Sequence, residues 1–294
     1  MKKVLKSLIR YPLYIVSLLP FRVLYFLADL VYILLYYVIK YRRTVVMGNL
    51  RNSFPEKTSA ELSNIEKRFY LNLVDVMVET LKMASMSAAS IQKRLHITNQ
   101  DEIRKFYNQG RPVMIVTAHY GNWEWGSPII SSLYPEPCMV VYKPLSDKNF
   151  EQIMNGWRSR FGAIMVPMKN TLRALHACKS KTFSLALVGD QTPVQSETQY
   201  FTDFLNQRTP IFLGIEKIAM KRNMPVIYAH LDRVRRGFYE CHLTTLFENP
   251  ETTAEYEITE THTRFLEKII IRKPEMWLWS HKRWKFKELQ GHVI

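Results

Sequence analysis

The feature that most restricts how this chain can fold is an alternation that runs through its middle. Short apolar runs at 113–117, 139–142, 184–188 and 226–228 read as buried strands, and helix-like stretches at 124–132, 147–161, 170–179 and 212–222 lie among them. A helix between two strands carries the chain back to the end at which it started, so the next strand pairs parallel. The order therefore predicts an α/β fold, with a mostly parallel central sheet flanked by helices. Residues 54–83 add a helix, with Ser59 placed to cap its start and Leu62, Ile65, Phe69, Leu73 and Val76 along its apolar face. Residues 253–271 read as a further amphipathic helix. No repeat or linker divides the chain, and 294 residues suffice for one core. Residues 44–294 are expected to form one domain behind an N-terminal segment, 1–43.

That N-terminal segment has a different character. Residues 23–39 are apolar but for Asp29 and four tyrosines, and as a helix they would reach about 26 Å, just short of a hydrocarbon core. Asp29 at mid-depth would cost roughly 2.5–3.5 kcal/mol. Arg22, Tyr25, Asp29, Tyr32 and Tyr36 recur at helical spacing and form one stripe, continued by Lys40 and Arg43. Leu24, Leu27, Val31, Leu34, Leu35 and Val38 are expected opposite it, facing lipid, while the stripe packs on protein or lies near headgroups. Ahead of this run, Lys2, Lys3, Lys6 and Arg10 alternate with apolar residues as in a short interfacial helix that stops near Pro12. The segment reads as a membrane-associated anchor, and a soluble core helix is the competing reading.

The chain carries 41 Lys and Arg against 26 Asp and Glu, a net charge of +15. Cations beside aromatic and apolar segments at both ends favour a membrane surface over nucleic acid. The three cysteines, Cys138, Cys178 and Cys241, are scattered, which excludes a disulfide framework and metal-ligand spacing and fits a reducing compartment.

The chemistry is expected at VMIVTAHYGNWEWG, residues 113–126. His119 follows a buried strand at its carboxyl end, where open α/β sheets bind ligands. Gly121 and Asn122 allow a tight turn, and Glu124 opens the next helix. Across that turn Glu124 is placed to accept a hydrogen bond from one His119 nitrogen, leaving the other to take a proton from a hydroxyl. The HxxxxE/D spacing recurs at His96–Asp101 and His262–Glu267, but the latter pair lies within one helix, where the two side chains diverge. No GxSxG elbow, P-loop or dinucleotide fingerprint occurs.

Five stretches carry a resemblance: YRRTVVMGNLRNSFPEKT at 41–58, TAHYGNWEW at 117–125, RSRFGA at 158–163, VGDQTP at 188–193 and PEMWLWSHKRW at 274–284. Together, in this order, the chain resembles the bacterial lipid A late acyltransferases of the lysophospholipid acyltransferase superfamily. The resemblance implies an acyl thioester on acyl carrier protein as donor, no other cofactor and no metal, and a phosphorylated glycolipid acceptor. It implies work at the inner membrane, on the cytoplasmic side, with His119 and Glu124 as the catalytic dyad. Within the matched stretches, Arg160 is a candidate ligand for phosphate or the thioester carbonyl, or else a surface helix arginine. Asp190 ends a strand on the edge that carries His119 if the sheet is parallel, placed to orient Arg160 or substrate or to cap a turn. Arg283, with Trp277, Trp279 and Trp284, reads as a lipid clamp or as core tryptophans with a solvated cation. After Asp190 the chain lacks the glycine-rich segment of better-known members, which leaves other lipid acceptors open: a lysophospholipid, an aminolipid or a phosphoinositol mannoside. A non-catalytic lipid-binding protein is the reading from another class.

Overall fold

The computed structural model describes residues 2–193 and 198–286, with side chains from Arg10 onward. The chain opens with α1 (Lys2–Leu18), which continues through Pro12 instead of stopping there. Its carboxyl end is tethered, since Lys82 Nζ and Ser85 Oγ donate to the Ser17 carbonyl at 2.7 and 2.6 Å. The basic side chains expected at Lys2, Lys3 and Lys6 lie outside the described ones. Next comes α2 (Phe21–Ile33), extended by a π-helical turn, Leu34–Val38. The middle of the polar stripe faces protein, with Arg22 and Lys40 exposed at its ends: Tyr25 Oη donates to Glu79 at 2.8 Å and Tyr36 Oη to Glu66 at 3.0 Å, while Asp29 pairs with Arg236 at 2.6 Å. The exposed apolar face is rotated from the one expected to meet lipid. Leu24 and Ala28 are buried against the protein, whereas Val23, Phe26, Leu30, Ile33, Leu34, Tyr37 and Val38 are exposed.

Two helices follow, α3 (Arg43–Ser53) and α4 (Ser59–Lys82). Thr58, not Ser59, caps α4: its hydroxyl accepts from the Glu61 N–H while Glu61 accepts from the Thr58 N–H, a reciprocal box that satisfies two amides otherwise left open. Then come α5 (Ala88–Gln92), β1 (Leu95–Ile97), α6 (Asp101–Asn108) and β2 (Val113–Thr117). Beyond a 3₁₀ turn, Trp123–Trp125, lie α7 (Gly126–Leu133), β3 (Cys138–Tyr142), α8 (Lys148–Ser159), β4 (Ile164–Pro167), α9 (Thr171–Ala177) and β5 (Ser184–Val188). A separate antiparallel pair, β6 (Tyr200–Phe204) and β7 (Gln207–Ile211), precedes α10 (Gly214–Arg222), β8 (Val226–Arg235), β9 (Phe238–Phe247) and α11 (Glu257–Arg272).

The main sheet has seven strands in the order β1-β9-β8-β2-β5-β3-β4. Every neighbouring pair is parallel except β8–β9. The fold is therefore α/β with a mostly parallel sheet, as the alternation predicts. Successive side chains of a strand point to opposite faces, and β2 feeds two cores: Met114 and Val116 pack on one side, Val113 and Ile115 on the other. Burial of each such side chain stabilises by about 1.5–3 kcal/mol. Because both faces of β2 are covered, it reads in the sequence as a continuous apolar run.

Candidate active site

Parallel pairing sets the geometry of the site. Strands β2 and β5 are neighbours in a register that ends with Thr117 beside Val188. Two residues further along each strand stand His119 and Asp190, so strand register alone brings them side by side. Asp190 Oδ1 lies 2.7 Å from His119 Nδ1, and the His119 backbone N–H donates to Oδ2 at 3.1 Å. Trp277 Nε1 donates to the same Oδ2 at 2.8 Å. Asp190 is 5% exposed, and that burial alone would raise its pKa. The charge of His119 and the hydrogen bonds from His119 and Trp277 outweigh it and hold the carboxyl below its usual range. In the neutral tautomer that gives Nδ1–H to Asp190, Nε2 carries no proton, and the Gln191 amide nitrogen sits 3.2 Å from it, placed to donate to it.

Glu124 is not the partner of His119. It is buried in the 3₁₀ turn and held in a two-point ion pair, Arg158 Nε to Oε2 at 2.8 Å and Nη2 to Oε1 at 2.6 Å. Burial works against the Arg158 charge, and Glu124 more than compensates, so the guanidinium pKa is raised. The turn that separates Glu124 from His119 points it at α8, while the strand register delivers Asp190 to the imidazole. The spacing motif finds both residues but pairs them wrongly.

The RSRFG stretch contributes Arg158, not Arg160. Arg160 donates to the Met83 and Met86 carbonyls just past α4 and does not line the cavity described below. Arg283 is no surface clamp either. It is 1% exposed, donates to the Pro210 carbonyl at 2.6 Å, and has its pKa lowered to about 10 by burial. Trp277, Trp279 and Trp284 are core residues. Trp277 acts on the site through its indole N–H, and its backbone forms a bridge with Tyr120. The Gly121 N–H donates to the Met276 carbonyl at 3.0 Å and the Leu278 N–H to the His119 carbonyl at 3.1 Å, so the tail is stitched to the turn that carries His119. The tail is held in turn by Asn49 Nδ2, which donates to the Trp279 and His281 carbonyls at 2.9 and 3.0 Å. Gly121 has φ +60°, and a Cβ there would lie 2.3 Å from the Leu231 carbonyl oxygen, so the turn requires glycine. Asn122 donates to Glu79 at 2.7 Å and anchors the turn from below.

His119, Glu124, Arg158, Gln191 and His281 share the wall of one cavity of about 1040 Å³. Ile130, Cys138, Val140, Met154, Ala186 and Leu231 give it an apolar lining, while Lys143, Lys169, Lys217 and Lys285 are among its cations. The volume lies at the upper end of the range for small-molecule sites, about 300–1,000 Å³. The two spare HxxxxE/D matches lie apart from it. His96 is exposed on β1, and His262 is buried in α11, where Glu267 instead accepts from the Leu205 N–H at 2.5 Å. Among the described residues one trio has metal-ligand proximity, His230, Asp232 and His242. Asp232 is already paired with Arg272 at 2.6 Å and Lys273 at 3.4 Å, a cationic setting that does not suit a metal ion.

A buried carboxylate holds a histidine on the wall of a large, mainly apolar cavity at the carboxyl end of a parallel sheet, the end at which α/β enzymes bind their substrates. A profile described as bacterial lipid A biosynthesis acyltransferase matches residues 2–286. The chain is 23% identical over 271 residues to a lipid A biosynthesis palmitoleoyltransferase of Escherichia coli (strain K12), covering 91% of this chain and 86% of that one. It is 23% identical over 251 residues to a lipid A biosynthesis acyltransferase of Haemophilus influenzae, covering 82% and 74% respectively. The chain belongs to the bacterial lipid A biosynthesis acyltransferase family, and it is an acyltransferase.

Proposed function

We propose that this protein moves a fatty acyl chain from a thioester on acyl carrier protein to a hydroxyl of a lipid A precursor-type, phosphorylated glycolipid. The reaction would run at the inner membrane, with the site open to the cytoplasmic side. The observation that supports this most is His119, held through Nδ1 by the Asp190 carboxylate, on the wall of a cavity with apolar and basic linings. In this reading Nε2 takes the proton of the acceptor hydroxyl as its oxygen attacks the thioester carbonyl. Asp190 stabilises the imidazolium that forms. When the tetrahedral intermediate collapses, the carbon–sulfur bond breaks and the imidazolium returns its proton to the departing thiolate. Arg158, fixed by Glu124, supplies positive charge at the wall for the developing oxyanion or an acceptor phosphate. The apolar lining suits the acyl chain, and the cations suit an anionic acceptor and an acidic carrier.

The test is to incubate pure protein with acyl carrier protein and coenzyme A thioesters, plus a lipid A precursor or a total lipid extract, and to analyse products by mass spectrometry. An added acyl group on the glycolipid, dependent on the carrier-protein thioester, is expected. Acylation of a glycerophospholipid alone would move the acceptor to another lipid class. No transfer from any thioester would end the proposal.

A further inference from the structure

By length and hydropathy, Phe21–Val38 could cross a bilayer. At 1.5 Å per residue its 18 residues reach about 27 Å, close to the roughly 30 Å of a hydrocarbon core. The contacts of that segment decide otherwise. It runs antiparallel along α4, and the pairing advances steadily. Tyr25 bonds Glu79 at 2.8 Å, Asp29 meets Asp75 through Arg236 at 2.6 Å on each side, and Tyr36 bonds Glu66 at 3.0 Å. Tyr36 also packs on Tyr70, 5.4 Å between ring centres. The helix is thus fastened to the catalytic domain from one end to the other.

If it spanned the membrane, α4 would have to lie in hydrocarbon beside it. So would Lys67 and Arg68, which are exposed on α4, and the β8–β9 hairpin that carries Arg236 to the midpoint of α2. Charges at that depth are costly, and Lys67 and Arg68 lie exposed on the protein surface, Arg68 paired with Glu275 there. The other face of the segment is the opposite in character. Val23, Phe26, Leu30, Ile33, Tyr37 and Val38 are 40–68% exposed and recur at helical spacing. On α1, Tyr11, Ile15 and Leu18 are exposed at the same spacing. Exposed cations flank these faces at Arg10, Arg22, Lys40 and Arg42. An apolar face bordered by cations matches the acyl–headgroup boundary of an anionic leaflet.

We propose that α1 and the Phe21–Val38 segment lie in the plane of one leaflet as a lipid-facing sole beneath the catalytic domain and do not cross the bilayer. This rests on the membrane location proposed above. Both ends of the sole, and the whole domain, then stay on one side, and the acceptor lipid reaches the protein by lateral diffusion within that leaflet.

The test uses full-length protein bound from outside to sealed vesicles of phosphatidylethanolamine and phosphatidylglycerol, isolated by flotation. Single variants Arg10→Cys, Lys40→Cys and Phe26→Cys are treated with a membrane-impermeant maleimide, before and after detergent, and the parent chain gives the background from its own cysteines. Arg10→Cys and Lys40→Cys should both label to completion from outside without detergent, and Phe26→Cys should label at least tenfold faster once detergent is added. If the chain floats but Arg10→Cys or Lys40→Cys is protected until detergent, the segment spans and the in-plane seating is overturned while the membrane location stands. If the chain fails to float and Phe26→Cys labels freely, the membrane location itself fails, and the seating with it.

Discussion

Asp190 accepts three hydrogen bonds while almost fully buried, two of them from His119 and one from Trp277. A carboxylate so supplied stays ionised and fixes the imidazole in the tautomer that keeps Nε2 basic. Glu124 stands in a separate pair with Arg158, and the two charges are testable as a unit. Glu124→Gln strands the guanidinium, so it should lower both turnover and stability, the latter by up to about 3–5 kcal/mol. Adding Arg158→Met should recover much of the stability but none of the turnover. A double variant with restored turnover would remove the pair from the mechanism. Cys138 and Cys241 also line the cavity, yet burial raises both thiol pKa values, that of Cys241 to about 12. Neither is a nucleophile near neutral pH. Intact-mass measurement with donor alone should therefore show no acyl adduct, and a stoichiometric adduct would contradict direct transfer. Much of this site was readable in the chain. The sequence marks His119 as a strand-end histidine in a glycine turn, and Asp190 as the end of another strand, on the same sheet edge if the sheet is parallel. It does not mark their partnership, because 71 residues separate them and only the sheet order places β5 beside β2. Arg158 was hidden beside Arg160 in one stretch, since the rotation of α8 that selects between them has no local signal.

At the scale of elements, strands buried on both faces announced themselves and the others did not. Strand β2 is a plain apolar run, but β8 extends to Arg235 through His230, Asp232 and Arg233, half-buried polar residues that break the run. Strand β9 alternates between half-buried and buried positions over its first six residues. The tail segment that pairs with Tyr120 is too short to read as a strand, yet it brings Trp277 to Asp190. Trp277→Phe keeps an aromatic ring but deletes the N–H donor and the second ring of the indole. The expected result is a loss of at least about 1.5–3 kcal/mol in stability, the worth of a hydrogen bond to a charged group, with the cost of the cavity added. Turnover should fall with little change in KM, because the bond orients Asp190 and touches no substrate. Urea unfolding and steady-state kinetics check both, and a change confined to KM would place Trp277 in substrate binding instead.

Across the whole molecule, the family stretches from 41 to 284 converge on one edge of the sheet: Asn49 holds the tail, the tail holds the His119 turn, and Trp277 holds Asp190. The same compaction buries titratable groups whose protonation links the fold to pH. His230, His262 and His281 have pKa values lowered by burial to about 4. Each is kept neutral in the fold, while the unfolded chain takes up a proton near pH 6.5. Their contribution is complete above about pH 6.5 and is lost as pH falls toward 4. Glu79 acts the other way: burial lifts its pKa to about 7, so its contribution is present at low pH and is lost as pH rises from about 4.5 to 7. With three histidines against one carboxyl, stability should fall between pH 7 and pH 5. His262→Gln should make that fall shallower, and a flat urea midpoint over this range would contradict the burial of these groups.

All of these features serve the claim that the fold holds His119 as the base of acyl transfer. The direct measurement is the turnover of purified His119→Ala with acyl carrier protein thioester and glycolipid acceptor, alongside thermal unfolding. The account predicts a loss of about 10²–10⁴-fold in a protein that unfolds like its parent. Near-normal turnover in a well-folded His119→Ala would contradict it.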